Sequence, residues 1–342
     1  AGTTDYLHDV LDRITRVTQS GTGVAAKRVD LAYTDIGQFS SITRYSDLSG
    51  TAMAARTSFT YDQGHRLTDM THRNQADAVL DRFALQYDGA NRIIRLTDLD
   101  GATDYSYDQA DRLTGSDHAA LGSPDEAYQY DANGNRVSSS LHGTAYQTGS
   151  GNRLESDGVY AYMYDGRGNL IRRTNIATGA VRDLMWDYRN RLVELDDRSS
   201  LGGAPTQTVQ YAYDAFNRRI AKSIDGDGSG PSAAARTSFA YDGQNVILEF
   251  LDPDGVSGPT AATKIARNFF GPATDQILAR ENAAGLVDWM LTDHMGTVRD
   301  LVSSVGTVVN HLTYDSYGNL IAQTDPSHTS RYRFTGREYD EE

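Results

Sequence analysis

A Tyr followed directly by an Asp occurs nine times along the chain, far more often than chance allows. With 21 Tyr in 342 residues, random placement would give about two such dipeptides. The pairs lie in a longer frame, Y-D-x-x-D/N-R-L, as in residues 107–113. Such a repeat constrains the architecture before any single residue is considered, because each unit must pack against its neighbours. The pairs are Tyr61-Asp62, Tyr87-Asp88, Tyr107-Asp108, Tyr130-Asp131, Tyr164-Asp165, Tyr213-Asp214, Tyr241-Asp242, Tyr314-Asp315 and Tyr339-Asp340.

Each unit has the pattern of a β-hairpin. A run of alternating character precedes the pair, as in residues 82–87, and another follows the Arg, as in residues 92–97. Alternation at period two indicates a half-buried strand, and the Asp, Asn and Gly residues between the runs favour a tight turn. Trp186 before Asp187 takes the Tyr place in one degenerate unit, and His8 takes it in another. Because a lone hairpin is marginal in water, we expect the units to pair edge to edge.

The composition favours a thin sheet. Apolar residues make up 39% of the chain, and Tyr outnumbers Phe 21 to 9. Since Tyr keeps a hydroxyl that needs a partner or water, this predicts a sheet wetted on both faces. The net charge of −14 argues against nucleic acid and anionic membrane surfaces as partners. Without Cys there are no disulfides or thiol sites, and no apolar run is long enough to insert in a membrane.

The basic residues are almost all Arg, because the only Lys residues are Lys27, Lys222 and Lys264. A guanidinium group can hold a carboxylate with two parallel hydrogen bonds. We therefore predict that the repeat Arg residues pair with turn Asp residues of the same or the adjacent hairpin. A genome rich in G and C, which favours Arg codons, would explain the Arg excess equally well.

The repeat pattern stops at a segment rich in Pro and Gly, residues 252–263. We predict a YD-repeat hairpin array over residues 1–251, a loop over 252–263, and a distinct C-terminal domain over 264–342 that continues the sheet. The chain starts at Ala1 without a Met, so we expect a piece of a longer protein or a processed product.

The hairpins resemble those of the Rhs, or YD-repeat, family. Residues 293–299, 314–319 and 333–340, in this order, are similar to the start of the Rhs-associated core domain. The resemblance implies an all-β fold in which the hairpin array forms a continuous, spiralling curved sheet, as a hollow shell or part of one. It also implies a set of core-motif residues. These are Asp293, His294, Gly296, Arg299, Gly318, Asn319 and Gly336.

In that family, shells of this kind enclose a C-terminal toxin, and related repeats form the barrel of animal teneurins. The resemblance therefore implies a structural, non-enzymatic segment, secreted or on the bacterial cell surface, that encloses or displays a toxin or effector of the parent chain. An alternative is an adhesion module whose Tyr residues bind carbohydrate or protein, although Tyr at period two also serves as cross-strand pairs. A third hypothesis, a fragment of a self-cleaving aspartyl autoprotease core, requires a segment that the sequence stops short of at Glu342.

No catalytic residue, cofactor or metal site is predicted. None of the eight His has a metal-ligand spacing with a carboxylate partner, and the phosphate-loop and nucleophile-elbow motifs are absent. Asp98 and Asp100 form one of several close carboxylate pairs. Residues 225–230 resemble half of a calcium loop, but Arg236 stands where a full loop needs Glu, which favours a plain turn. Exposed strand edges are expected to pair with further repeats or with copies of the chain.

Overall fold

The computed structural model describes residues 2–119, 124–256 and 258–340, which form 28 β-strands and two short 3₁₀ turns. The strands are β1 (Gly2–His8), β2 (Ile14–Gly21), β3 (Lys27–Tyr33), β4 (Phe39–Tyr45), β5 (Met53–Tyr61), β6 (Leu67–Arg73), β7 (Val79–Tyr87), β8 (Ile93–Asp98), β9 (Gly101–Tyr107), β10 (Leu113–His118), β11 (Glu126–Tyr130), β12 (Arg136–Ser139), β13 (Gln147–Thr148), β14 (Leu154–Ser156), β15 (Tyr160–Tyr164), β16 (Leu170–Asn175), β17 (Val181–Trp186), β18 (Leu192–Arg198), β19 (Pro205–Tyr213), β20 (Arg219–Asp225), β21 (Ala235–Asp242), β22 (Asn245–Asp252), β23 (Thr263–Phe270), β24 (Ile277–Asn282), β25 (Val287–Thr292), β26 (Val298–Val302), β27 (Val308–Tyr314) and β28 (Leu320–Gln323). The 3₁₀ turns are Ser150–Asn152 and Phe334–Gly336.

The chain divides into two compact units. The first unit comprises Ala1–Asp125 and Ala266–Glu341, and the second comprises Glu126–Ile265. This grouping follows contacts in space, whereas the division at residues 252–263 follows motif content and stays a prediction. Residues 253–262, where described, contain no strand. Among the described residues, no helix has the length and hydropathy to cross a membrane.

Within each unit, most strands pair antiparallel with the next strand along the chain. In the first unit, β1 to β10 pair in chain order, and β23 to β28 do the same. In the second unit, β11 pairs with β12, and β13 to β22 pair in chain order. Because each hairpin is closed by its own turn, local sequence specifies this topology. The all-β hairpin array predicted from the repeats is confirmed.

The first unit has a dense apolar core, which corrects the expectation of a thin, wetted sheet throughout. Trp289 and Phe269 are fully buried and meet edge to face, with ring centroids 6.4 Å apart. They pack in one cluster with residues of the early repeats such as Val17, Val29 and Ile42. Strand β26 is buried at all five residues. The segment from residue 266 onward is richer in large apolar side chains than the repeats, so it can bury both faces of a strand.

The half calcium loop suggested by the sequence is a turn in the structure. Residues 226–230 lie between strands, and Asp227 Oδ2 accepts a hydrogen bond from the backbone amide of Ser232 at 3.2 Å. This bond turns the carboxylate toward its own loop, as expected for a closing turn residue.

Candidate functional site

The Asp of most pairs closes the hairpin turn. In the Tyr61 unit, Asp62 Oδ1 accepts hydrogen bonds from the backbone amides of Gly64 (2.8 Å) and Arg66 (3.0 Å). His65, just before the Arg, has a φ of 62°, a left-handed conformation that Asn, Asp and Gly adopt most readily. That preference explains why most units carry Asp, Asn or Gly there. The same two amide bonds are accepted by Asp9, Asp88, Asp108, Asp131, Asp165, Asp187, Asp214 and Asp315.

The Arg of a unit is held by its own Asp and reaches the next unit. Arg92 Nε donates to Asp88 Oδ2 at 2.7 Å, and Nη2 lies at the same distance from that oxygen. Its Nη1 donates to Asp111 Oδ1 at 2.8 Å, and its guanidinium lies 4.9 Å from the centre of the Tyr107 ring. Charge-assisted bonds and a cation–π contact thus share one side chain. The predicted pairing of repeat Arg with turn Asp is confirmed; further pairs are Arg13–Asp9, Arg66–Asp62, Arg112–Asp108, Arg191–Asp187 and Arg218–Asp214.

The Tyr hydroxyl ties its unit to the preceding one. Tyr87 Oη donates to the backbone carbonyl of Leu67 at 2.7 Å. Trp186 makes the equivalent bond from its indole Nε1 to the Leu170 carbonyl at 2.8 Å, which explains why Trp can take the Tyr place. The dipeptide therefore bonds in two directions, backward through the Tyr and forward through the Arg that the Asp holds. The same backward bond is made by Tyr33, Tyr61, Tyr107, Tyr164, Tyr213 and Tyr241.

Some of the nine pairs depart from this arrangement, and within the part of the chain that the structure describes the buried Tyr314 hydroxyl has no hydrogen-bond partner. Asp242 pairs with Asn245 in the ladder of β21 and β22, so the turn of that unit is shorter than the others. Tyr339-Asp340 lies outside the strands, and the Tyr339 ring packs 4.1 Å from the guanidinium of Arg333. In the units with Gly-Asn turns, Asn replaces the Arg and its Nδ2 donates to the turn Asp. These bonds join Asn135 to Asp131, Asn169 to Asp165 and Asn319 to Asp315.

Removing one Tyr hydroxyl tests the backward bond. We expect Tyr87→Phe to lower the free energy of unfolding by about 1 kcal/mol, because the Leu67 carbonyl loses its donor while the ring stays in place. The measurement is urea unfolding followed by circular dichroism. Tyr188→Phe is the matched control, since Tyr188 is 77% exposed, and it should change stability by less than about 0.5 kcal/mol. Equal effects of the two substitutions would contradict the assigned bond.

The pKa values of the turn carboxylates predict how stability depends on pH. Hydrogen bonds from the Arg66 amide and side chain lower the pKa of Asp62 below its usual value of 3.8. Equivalent hydrogen bonds lower the pKa values of Asp88 and Asp108. A lowered folded-state pKa contributes stability that is present above the unfolded value and is lost as the pH falls through the folded value. We therefore expect the melting temperature to be steady from pH 7 to about pH 5 and to fall steeply below about pH 4. A melting temperature that rises on acidification to pH 3 would contradict this.

The first core motif forms a turn of the same design. Asp293 Oδ1 accepts the amides of Met295 (2.8 Å) and Thr297 (3.0 Å), and Gly296 has a φ of 82°. His294 lies in this turn, and burial lowers its pKa. The Asp-x-x-Gly spacing of the turn accounts for Asp293 and Gly296.

The glycines of the other two core motifs each lie in a close contact. Gly318 has a φ of 88°, and a Cβ there would lie 2.5 Å from the Phe334 ring. Gly336 has a φ of 69°, and a Cβ there would lie 2.6 Å from the Asp275 carbonyl oxygen. Close approach and backbone conformation therefore both require glycine at these positions. Tyr314 packs against Phe334 with ring centroids 6.1 Å apart, and burial raises the pKa of Tyr314 to about 12.

Arg299 is the buried cation of the core motif. Its Nη2 lies 2.8 Å from Asp100 Oδ2 and 3.3 Å from Asp98 Oδ2, and its Nε donates to the Leu312 carbonyl at 2.9 Å. The guanidinium also lies 5.4 Å from the centre of the Phe83 ring. Arg299 thus links strand β26 to the turn between β8 and β9 and to β7, all within the first unit.

Three further side chains gather beside Arg299. One carboxylate oxygen each of Asp81 and Asp300 and a ring nitrogen of His311 lie within 4.8 Å of one another. Burial, reinforced by the charge of Asp300, raises the pKa of Asp81 to about 8. Burial lowers the pKa of His311, but hydrogen bonds with Asp100 and Asp300 outweigh it and raise the net value to about 10. No local pattern of residues indicates this group, because Asp81 lies more than 200 residues before its partners.

The comparisons with known proteins also indicate a fold built from repeated hairpins. Residues 96–230 match the family model described as Teneurin YD-shell. The repeats of this chain are therefore similar to those of the teneurin YD-shell. The crystal structure of TcdB2-TccC3-TEV aligns with 99% of the YD-repeat chain at a TM-score of 0.76 and 17% identity, and this chain covers 18% of that one. This likeness shows the fold.

Two curated relatives extend the comparison. The YD-repeat chain is 27% identical over 308 residues to Toxin protein Tse5 of Pseudomonas aeruginosa strain PAO1, which covers 75% of this chain and 23% of Tse5. It is 24% identical over 202 residues to Teneurin-1 of Gallus gallus, which covers 53% of this chain and 7% of Teneurin-1. The chain therefore spans less than a quarter of the length of these relatives, and the resemblance stated from its motifs is confirmed.

Proposed function

We propose that this YD-repeat chain is a structural, non-enzymatic shell segment of an Rhs-type protein, and that the shell encloses or displays a C-terminal toxin or effector of the parent chain. The observation that carries the proposal is how the repeat side chains are used. The Tyr, Asp and Arg side chains of the units close the hairpin turns and join successive hairpins, so their contacts stabilise the sheet. The similarity to Tse5 and to the TccC3 structure supports an effector as the partner.

The partners and setting follow from the same proposal. Strand β1 is the first strand of its sheet and is exposed along all seven residues, so this edge suits pairing with further repeats of the parent protein or with another copy. A sedimentation experiment that finds only monomer at high concentration would exclude pairing between copies. The similarity to a toxin protein supports secretion or display on the bacterial surface. The net charge of −14 supports partners other than nucleic acid.

Enclosure can be tested by protease access in the full parent protein. A recognition site for a specific protease is inserted into the C-terminal effector, and a second variant carries the same site in the exposed turn at residues 229–233. We expect the turn site to be cut at least about tenfold faster than the effector site in the native protein, because local exposure sets the cleavage rate. In urea the two sites should be cut at similar rates.

The outcomes of these experiments distinguish enclosure of the effector from its display. Equal cleavage at both sites of the native protein would exclude enclosure and leave display. Loss of the effector's localisation or delivery when residues 1–342 are deleted is expected under either form. An effector that is delivered and active without these residues would contradict the shell function altogether.

A further inference from the structure

A cluster of two acidic side chains and one His lies inside the first unit, where strands from the two ends of the chain meet. Asp81 is on β7, Asp300 is on β26 and His311 is on β27. Asp300 and His311 face each other in the strand register. One ligand-type atom from each of the three side chains lies within 4.8 Å of the others, which is the spacing of groups around a single ion. Asp81 and Asp300 are both 99% buried, with 1% exposure each.

Two carboxylate oxygens in the cluster have no hydrogen-bond partner. They are Oδ2 of Asp81 and Oδ2 of Asp300, and this holds across the part of the chain that the structure describes. The other oxygens are engaged, since Asp81 Oδ1 accepts the Arg82 amide at 2.7 Å and Asp300 Oδ1 lies 2.7 Å from His311 Nδ1. A buried acceptor without a donor is costly, and two carboxylates side by side repel each other. A cation between them removes both costs.

His311 is oriented as a ligand would be. Its Nε2 lies 3.1 Å from Asp100 Oδ2, which leaves Nδ1 toward Asp300. A metal-bound imidazole usually donates its other ring N–H to a carboxylate, which fixes the tautomer and the ring plane. Asp100 is held in turn by Arg299 at 2.8 Å. The charges around the cluster are the carboxylates of Asp98 and Asp100 and the guanidinium of Arg299.

We propose that Asp81, Asp300 and His311 bind a divalent transition-metal ion of the Zn²⁺ class. The ligands are one oxygen of each carboxylate and Nδ1 of His311, with Asp100 as the partner of the other ring nitrogen. A mixed set of carboxylate oxygens and an imidazole nitrogen suits Zn²⁺, whereas Ca²⁺ and Mg²⁺ take oxygen ligands. The ion ties β7 of the early repeats to β26 and β27, so its role is to fasten the first unit.

The test is direct binding to the whole chain. After treatment with a chelator and dialysis, the protein is titrated with ZnCl₂ by calorimetry at pH 7.5, and its thermal unfolding is measured with and without Zn²⁺. We expect one Zn²⁺ per chain and a higher melting temperature in Zn²⁺, because a ligand of the native state stabilises it. The zinc-edge absorption spectrum should show oxygen and nitrogen neighbours with one imidazole. MgCl₂ and CaCl₂ should not displace the ion.

Substitutions distinguish Zn²⁺ binding at this site from binding by other His and Asp residues. Asp300→Asn and His311→Gln should abolish the one-to-one binding. Asp100→Asn keeps all three ligands and should weaken binding by about 10–100-fold. His65→Gln and Asp117→Asn, at exposed positions, are the controls and should bind as the parent chain does. Circular dichroism checks that each variant is folded.

The proposal is overturned if the folded parent chain binds no Zn²⁺ at one-to-one stoichiometry, or if Asp300→Asn and His311→Gln bind it unchanged. It is also overturned if Asp81→Asn raises stability in chelator and Zn²⁺ adds nothing to the parent chain, because Asp81 and Asp300 then share a proton in place of an ion. None of these outcomes depends on whether the shell encloses an effector.

Discussion

Replacing Lys27 by Met should lower the free energy of unfolding of the first unit by about 3–5 kcal/mol. Lys27 Nζ lies 2.5 Å from Glu281 Oε2, and the two side chains are 0% and 1% exposed. The ion pair joins β3 of the repeats to β24 of the C-terminal segment. The substitution leaves the carboxylate of Glu281 buried with its ammonium partner removed, and the desolvation cost of the carboxylate then dominates.

A double substitution provides the control. Lys27→Met together with Glu281→Met replaces both charges with apolar groups of similar size, and it should recover most of the loss seen in Lys27→Met. Urea unfolding can be followed by the fluorescence of Trp289, which is fully buried in the first unit, in a Trp186→Tyr background. A double variant that is as unstable as the sum of both single variants would show that packing, and not charge, sets the effect.

Replacing Arg299 by Met should cost a similar amount, about 3–5 kcal/mol. The substitution removes the cation that faces Asp98 and Asp100, the donor to the Leu312 carbonyl and the contact with the Phe83 ring. Arg299→Lys keeps the charge but not the planar fork, so it should lose less than Arg299→Met. The measurement is again urea unfolding by Trp289 fluorescence.

The matched control for Arg299 is an exposed Arg that also faces a carboxylate. Arg95 lies 3.2 Å from Asp104, and the two side chains are 41% and 51% exposed. Arg95→Met should change the free energy of unfolding by at most about 1 kcal/mol, since surface ion pairs contribute little. Comparable losses of unfolding free energy in the Arg95 and Arg299 variants would contradict the view that burial makes the contacts of Arg299 strongly stabilising.

The hairpin positions and the Arg–Asp pairing could be predicted because they are local. The turn residues from Asp62 to Arg66 lie within five consecutive positions, and hydrogen bonds between near neighbours leave a mark in the sequence. The Tyr hydroxyl bond to the preceding unit was not predicted, since its acceptor is a backbone carbonyl that any residue supplies. The thin-sheet expectation was wrong for the first unit because overall composition averages the apolar C-terminal segment with the polar repeats.

The cluster beside Arg299 could not be predicted from spacing. Its members lie on strands far apart in the sequence, and only the packing of the C-terminal segment on the early repeats brings Asp81 to Asp300 and His311. The core-motif residues follow from the family resemblance alone, and the structure gives physical reasons for some of them. Gly318 and Gly336 have no room for a side chain, and Asp293 caps its turn.

The way Arg92 reaches Tyr107 also bears on how such arrays gain and lose units by recombination. A junction between two units consists of an Arg from one unit and an aromatic ring from the next. The portion that can be copied or excised while keeping this contact runs from one Tyr to the residue before the next Tyr. An excision that joins an Arg-type unit to another Tyr rebuilds the same junction. One that places Asn135 or Asn169 before a Tyr does not, because an amide cannot supply the cation over the ring. Chains of different lengths are therefore expected to arise at Arg-type junctions, while the Gly-Asn units persist in fixed order.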